Sequence, residues 1–393
     1  MNFWDAEPTT PEFVFEDEKQ KLIDNMNYLM TMSVEEQTLY KKWVELQEDS
    51  MLRDRSQIAS LYDTQWKPTD INNKELTVQE IQELEPYVEI VEDSNDATKW
   101  TYLRKMIHTM SWTANPGRNV KIYIKDRRSG KLLGLASLAS DVTSLKVRDE
   151  YIGWTKEDKF KRGKLNYTTI ASTIVCTQPL GYNFLGGKLT AMMITTPSVR
   201  DYWKERYGQT LVALGTTSLY GIHSQYNGIP HFKTLGESAG KISIKPDDEF
   251  YEPWHQWVKQ NRSDWYEKEI NVDKINGPVS GIKQKILSRI FKECGIKQSD
   301  YHHGFKRGVY LAMMYENGSE FLRSEIEESE LVIKKKFADG VDYINNWWKP
   351  KAIKRYTKLY DEGRLKPEDL FYIDGIGKDW ETFKQERLSE VGR

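Results

Sequence analysis

The stretch Asn166–Gly221, NYTTIASTIVCTQPLGYNFLGGKLTAMMITTPSVRDYWKERYGQTLVALGTTSLYG, decides how this chain is read. A β-branched apolar run, a glycine-bearing turn, a helix-length segment and a second apolar run follow one another. That order sets a turn's backbone amides ahead of a helix N-terminus, an arrangement able to hold a phosphate. No metal cluster or nucleophile triad competes with it elsewhere in the sequence.

Working outward, NVKIYIKDRRSGKLLGLASLAS alternates into a strand, turns at Arg128-Ser129-Gly130 and resumes as a second strand, so an antiparallel hairpin precedes the long unit. GKISIKPDDEF closes the region with one more strand. Strands flanked by helices predict an α/β (α+β) layered domain over residues 76–248. Residues 1–75 read as a helical N-terminal module. Within it Ser33 and Glu36 have capping-box spacing, as do Thr77 and Glu80 just beyond it, and Tyr62 to Lys74 reads as a linker. Residues 249–393 read as a charged helical region, with Pro350 suited to a first helical turn and Lys351, Lys354, Arg355 and Lys358 on one face. That face reads either as a phosphate-contacting surface or as a solvated helix balanced by the acidic EIEESE upstream.

With 393 residues the chain can bury several cores, and two cysteines make no disulfide framework. The cysteine usage and the lack of an apolar run near 20 residues predict a cytoplasmic protein with no membrane contact. A net charge of -2 excludes a global attraction to nucleic acid, so any such binding needs a local basic patch.

The turn itself, TQPLGYNFLGGKL, brings Gly181, Gly186 and Gly187 before a helix. It is no Walker loop, because Lys188 is followed by Leu189, and its glycine spacing does not fit a dinucleotide fingerprint. A glycine-bearing turn between a central strand and a helix, preceded by a hairpin, resembles the GNAT acyltransferase fold, a mixed central sheet flanked by helices. The resemblance implies an acyl-CoA donor whose pyrophosphate would meet Gln178, Gly181, Tyr182, Asn183, Gly186, Gly187 and Lys188. Asn183 stands where that loop carries a small residue.

Longer blocks narrow the likeness. GLASLASDVTSLKVRDEYIGW, NFLGGKLTAMM, DYWKERYGQTLVALGTTS and HSQYNGIPHFKTLGESAGK resemble successive blocks of the Druantia anti-phage component A family over about Val120 to Lys241. Arg148-Asp149-Glu150-Tyr151-Ile152-Gly153-Trp154 is the most specific of them. The domain is also similar to the acyltransferase-like group that includes the phage DNA-modification protein Mom. This resemblance implies an enzyme acting on DNA, phage-encoded or prokaryotic.

Acyl transfer to a base amine needs positioning, a base and a proton donor for the departing thiolate. The resemblance gives the donor's role to a tyrosine, with Tyr226 favoured over Tyr220. His223 is the candidate general base, and Asp149 and Glu237 are the candidate acids. Arg148 is read as placing a phosphate and Trp154 as stacking on a base, against the alternative of an internal ion pair capped by the indole. The leading expectation is a DNA base-modifying acyltransferase with no metal. The alternatives are a non-catalytic nucleic-acid-binding module built on a degenerate GNAT-like domain, and a virion or assembly protein whose helical termini make homo-oligomeric or partner contacts.

Overall fold

The computed structural model describes residues 13–115, 117–219, 224–238, 241–271, 282–304, 306–366 and 372–391. The chain forms two compact units, one of residues 1–37 with 240–305, the other of residues 38–239 with 306–393. Neither boundary set coincides with the three-part division read from the sequence.

The larger unit is built on a seven-stranded mixed sheet, the layered α/β architecture expected. In chain order its strands are β1 (Pro86–Ile90), β2 (Asn119–Asp126), β3 (Leu132–Ser140), β4 (Thr168–Cys176), β5 (Ala213–Ser218) and β6 (Lys233–Glu237). Two short strands of the smaller unit, β7 (Lys241–Ser243) and β8 (His302–Gly304), come next, and β9 (Gly308–Met313) completes the large sheet. The order across that sheet is β1-β2-β3-β4-β5-β9-β6, and β4 with β5 is its one parallel pair among the described residues. A parallel pair needs a long crossover, here the helices Gly186–Met193 and Pro197–Tyr207, which bury Leu189, Met192, Met193, Val199 and Trp203 against the sheet. Burying one such side chain contributes roughly 1.5–3 kcal/mol, so this layer holds the crossover in place.

The hairpin falls where expected. Asp126 N donates to Lys131 O (2.8 Å), Gly130 N donates to Asp126 O (2.8 Å), and Gly130 takes the positive φ (69°) that the turn requires. Ser33 and Glu36 make both hydrogen bonds of a capping box, 2.8 and 3.1 Å. Thr77 and Glu80 do not. Their helix, Lys74–Glu83, starts earlier on an Asn73 cap, and Glu80 accepts from Thr69 instead. The expected linker packs as well, with Trp66 N donating to Leu132 O (2.9 Å) and the indole entering the core beside Phe184.

Three further expectations are corrected. GKISIKPDDEF supplies β7, which pairs with β8 and not with the large sheet. Pro350 lies inside the Val341–Asp361 helix, not in its first turn. An interior proline costs a helix about 3 kcal/mol, and burial of Ile344, Trp348, Ala352, Tyr356 and Leu359 on both sides of it offsets that cost. Within the charged C-terminal region, β9 is buried along its whole length between β5 and β6.

The smaller unit packs the helix Phe15–Thr31 with Asp248–Asn261 and Ile282–Glu293. Trp254 is its centre, met edge-on by Phe13 (5.1 Å) and Phe15 (5.0 Å). Arg262 grips Glu293 through two hydrogen bonds, 3.0 and 2.6 Å.

Candidate functional site

β4 and β5 pair only through Thr168↔Ala213, Thr169↔Leu214 and Ile170↔Gly215. Beyond those three pairs both strands continue without pairing to each other, leaving a gap whose backbone groups need other partners. The chain supplies them from its own side chains. Thr216 Oγ1 donates to Ala171 O (3.2 Å), and Gln225 Nε2 donates to Ile174 O (3.0 Å) and to the Tyr226 hydroxyl (3.1 Å). Lys188 secures the plug from the crossover helix by donating to Gln225 O (3.3 Å) and Asn227 O.

Tyr226 is 7 % exposed and sits against Tyr310 (5.2 Å) and Phe232 (6.0 Å). Burial raises its pKa, outweighing the hydrogen bonds from Gln225 and Thr216, so the hydroxyl keeps its proton at neutral pH. Chemically, the gap holds a protonated phenol and a carboxamide bonded to a strand carbonyl. Tyr220 and His223 lie outside the described residues. Glu237 ends β6, exposed, 3.6 Å from Lys306.

The loop after β4 turns on itself. A one-turn helix, Gln178–Gly181, places Pro179 in its first turn, and Gln178 Nε2 reaches Ile107 O at 3.4 Å. At Gly186 a Cβ would come 2.5 Å from Leu180 O, and at Gly187 one would come 2.0 Å from Gln225 Oε1. These glycines let the chain approach itself. At Gly181 a Cβ would meet only ordinary contact, with Cys176 Sγ at 3.5 Å. Asn183 is clasped by Lys366 through two hydrogen bonds of 3.0 Å, one each way between side chain and backbone. The chain's own atoms therefore pack closely against Gly186 and Gly187, and the Gln225 side chain stands between the loop and Ile174 O.

Tyr182 stands beside that clasp with Arg355 and Lys366 each 4.5 Å from its ring centre. Arg355 Nε also approaches Tyr182 O (3.4 Å), and Trp348 Nε1 donates to Leu185 O (3.2 Å), so the Val341–Asp361 helix braces the loop. Lys351, Lys354 and Lys358 are exposed on that helix.

The Arg148 to Trp154 motif forms a separate, closed cluster. Arg148, 1 % exposed, bonds Asp141 (2.6 Å) and Asp149 (2.7 Å), and its guanidinium lies 5.3 Å from the Trp154 ring centre. Asp149 also accepts from Trp154 Nε1 (2.9 Å) and Lys159 Nζ (2.9 Å). Burial works to raise the Asp149 carboxyl, but the bonds from Lys159 and Arg148 outweigh it and hold the carboxyl below its usual range. The Asp141 side chain is buried, and that burial pushes its carboxyl up. Arg148 and Trp154 thus take the internal alternative read from the sequence. The residues the sequence reading passed over are Gln225, Thr216, Asp141, Lys159 and Lys366. Gln225, Thr216 and Lys366 act through partners distant in sequence, and Asp141 and Lys159 through Arg148 and Asp149 at separations that match no regular spacing, so only the residue types are visible.

The fold and this centre define a mixed α/β protein whose central parallel pair parts and is refilled from within. Residues 39–324 match the sequence model of the Druantia protein DruA family, and the chain belongs to that anti-phage defence family. The Druantia protein DruA of Escherichia coli (strain UMEA 4076-1) is 25% identical over 284 residues. The match covers 67% of this chain and 66% of that protein, so the chain spans just under two thirds of its relative's length. No solved structure matches the chain. Among the described residues no group of histidine, cysteine and carboxylate side chains could hold a metal, and no helix is long and apolar enough to cross a membrane.

Proposed function

We propose that this protein serves anti-phage defence as a nucleic-acid-binding module, built on a GNAT-like sheet whose donor cleft is closed by its own residues. The observation that carries this reading is Gln225. Its carboxamide spans the gap beyond Ile170 and Gly215, bonded to Ile174 O and lodged against Gly187. An arm of acyl-CoA entering the gap competes with a side chain already bonded to Ile174 O, on a residue whose backbone carbonyl Lys188 holds. The test is calorimetric titration of the whole protein with acetyl-CoA, alongside DNA binding at several salt concentrations. Salt-dependent DNA binding with no acetyl-CoA heat supports the reading. Tight acetyl-CoA binding to the unaltered protein overturns it.

A second reading, a DNA base-modifying acyltransferase, is favoured by the parting of β4 and β5 itself and by the protonated Tyr226 hydroxyl at the gap. It requires Gln225 to leave its seat. Nucleoside mass spectrometry of DNA from expressing cells decides it, since a heavier nucleoside lost in Tyr226→Phe would replace the first reading with this one.

A further inference from the structure

The geometry points to a phosphate-backbone binding surface centred on Tyr182, made by the loop after β4 and the Val341–Asp361 helix; it rests on the nucleic-acid reading above and gives that reading a place. Three chain segments converge there. The loop supplies Tyr182, the helix supplies Arg355, and the segment beyond the helix supplies Arg364 and Lys366. The Arg364 guanidinium is held further toward its charged form by Glu362 and by Tyr182.

Lys351, Lys354 and Lys358 continue the cations along the helix. At 1.5 Å per residue they span roughly 10 Å. Phosphates of one DNA strand recur about every 3.4 Å along the axis, so the row faces about three of them.

Charge balance selects an anion. Glu362 pairs with Arg364 (2.7 Å) and Lys358 (3.7 Å). Among the described residues, no carboxylate lies within ion-pair distance of Lys351, Lys354, Arg355 or Lys366. Lys351, Arg355 and Lys366 have aromatic rings as neighbours instead, Lys351 resting 4.9 Å from the Trp347 ring centre, and Lys354 is exposed. Cations brought together without counter-charges gain from a polyanion that releases its own counterions on contact. The clasp between Asn183 and the Lys366 backbone fixes the loop to this side without using the Lys366 ammonium. The helix lies beyond residues 39–324, so the family match does not itself supply these cations.

The experiment measures binding of a labelled mixed-sequence DNA duplex, and of its single strand, across a salt series. It compares the whole protein with Lys351→Gln/Lys354→Gln/Lys366→Gln and with Lys354→Gln alone. The expected result is a slope of log affinity against log salt that flattens by about 0.9 for each lysine removed on duplex and about 0.7 on single strand. The unfolding temperature should stay unchanged. DNA binding with an unaltered slope in the triple variant overturns this surface and leaves the nucleic-acid reading standing. No salt-dependent binding of either DNA by the unaltered protein overturns both. Polyglutamate bound in preference to DNA assigns the patch to an acidic polypeptide and likewise overturns the proposal.

Discussion

Of the arginines that lie over aromatic rings, Arg148 and Arg355 have surroundings that give them opposite uses. Arg148 is 5.3 Å from Trp154, buried, with Asp141 and Asp149 both within salt-bridge distance. Arg355 is 4.5 Å from Tyr182, half-buried, beside further cations and with no carboxylate partner among the described residues. The first arrangement spends its charge on folding. The second leaves charge to offer. A motif's specificity in sequence therefore says little about whether its charged groups face a ligand, because internal ion pairs constrain residue types just as tightly.

The comparison breaks most visibly at Asp149. Asp149→Ala leaves Arg148, Lys159 and Trp154 Nε1 short of a partner, and removing one member of a buried pair costs about 3–5 kcal/mol. Urea denaturation should show that loss while the folded fraction keeps the DNA affinity proposed above; a lowered affinity would make the cluster part of the proposed surface. A pH series sharpens the point. Because the folded Asp149 carboxyl is held low, its contribution is complete above the unfolded carboxyl value of about 4 and disappears as pH falls through the folded value. The deficit of Asp149→Asn should accordingly be full at pH 7 and shrink in acid. A deficit constant down to pH 2 would mean the carboxylate charge is not what matters.

A smaller effect is expected at the plug. Gly187→Ala drives a methyl into Gln225 Oε1, and Gln225→Ala removes the hydrogen bonds to Ile174 O and to the Tyr226 hydroxyl, a change of about 1–3 kcal/mol. The two should be non-additive, with Gly187→Ala costing less once Gln225 is gone. Strict additivity would show that the glycine serves something other than seating the glutamine. Smallest of all, Lys354→Gln should alter stability by no more than about 0.5 kcal/mol, being exposed, yet still flatten the salt dependence of DNA binding.

How much of this was legible in sequence depends on the range of the interaction. The hairpin at Ser129-Gly130 and the capping box at Ser33 rest on neighbours a few residues apart, and both can be read from spacing, whereas the parallel pairing of β4 with β5 joins residues far apart. β9 could not be read that way. GVYLAM lies in a charged stretch that reads as helical, and its identity as a strand comes from pairing with β5 and β6. The loop after β4 was legible as a turn with close backbone approach, but what its glycines approach was not. Leu180 O lies against Gly186 and Gln225 Oε1 against Gly187, contacts that glycine spacing does not disclose. Asn183 likewise gives no sign in sequence of Lys366, far along the chain.

The seventh strand also sets a timetable. β5 emerges from the ribosome with one flank open, and its antiparallel neighbour β9 follows only after residues 240–305 have been made. Until then β5 is an unpaired strand edge carrying buried apolar residues, the kind of surface that invites mispairing during synthesis. When β9 arrives, Ser238 N donates to Arg307 O (2.8 Å) and Arg307 N donates to Ser238 Oγ (3.2 Å), tying off the base of the long excursion. Chains released before residue 313 would lack the strand that seals the sheet, so premature termination anywhere upstream should yield aggregates and not a shortened functional form.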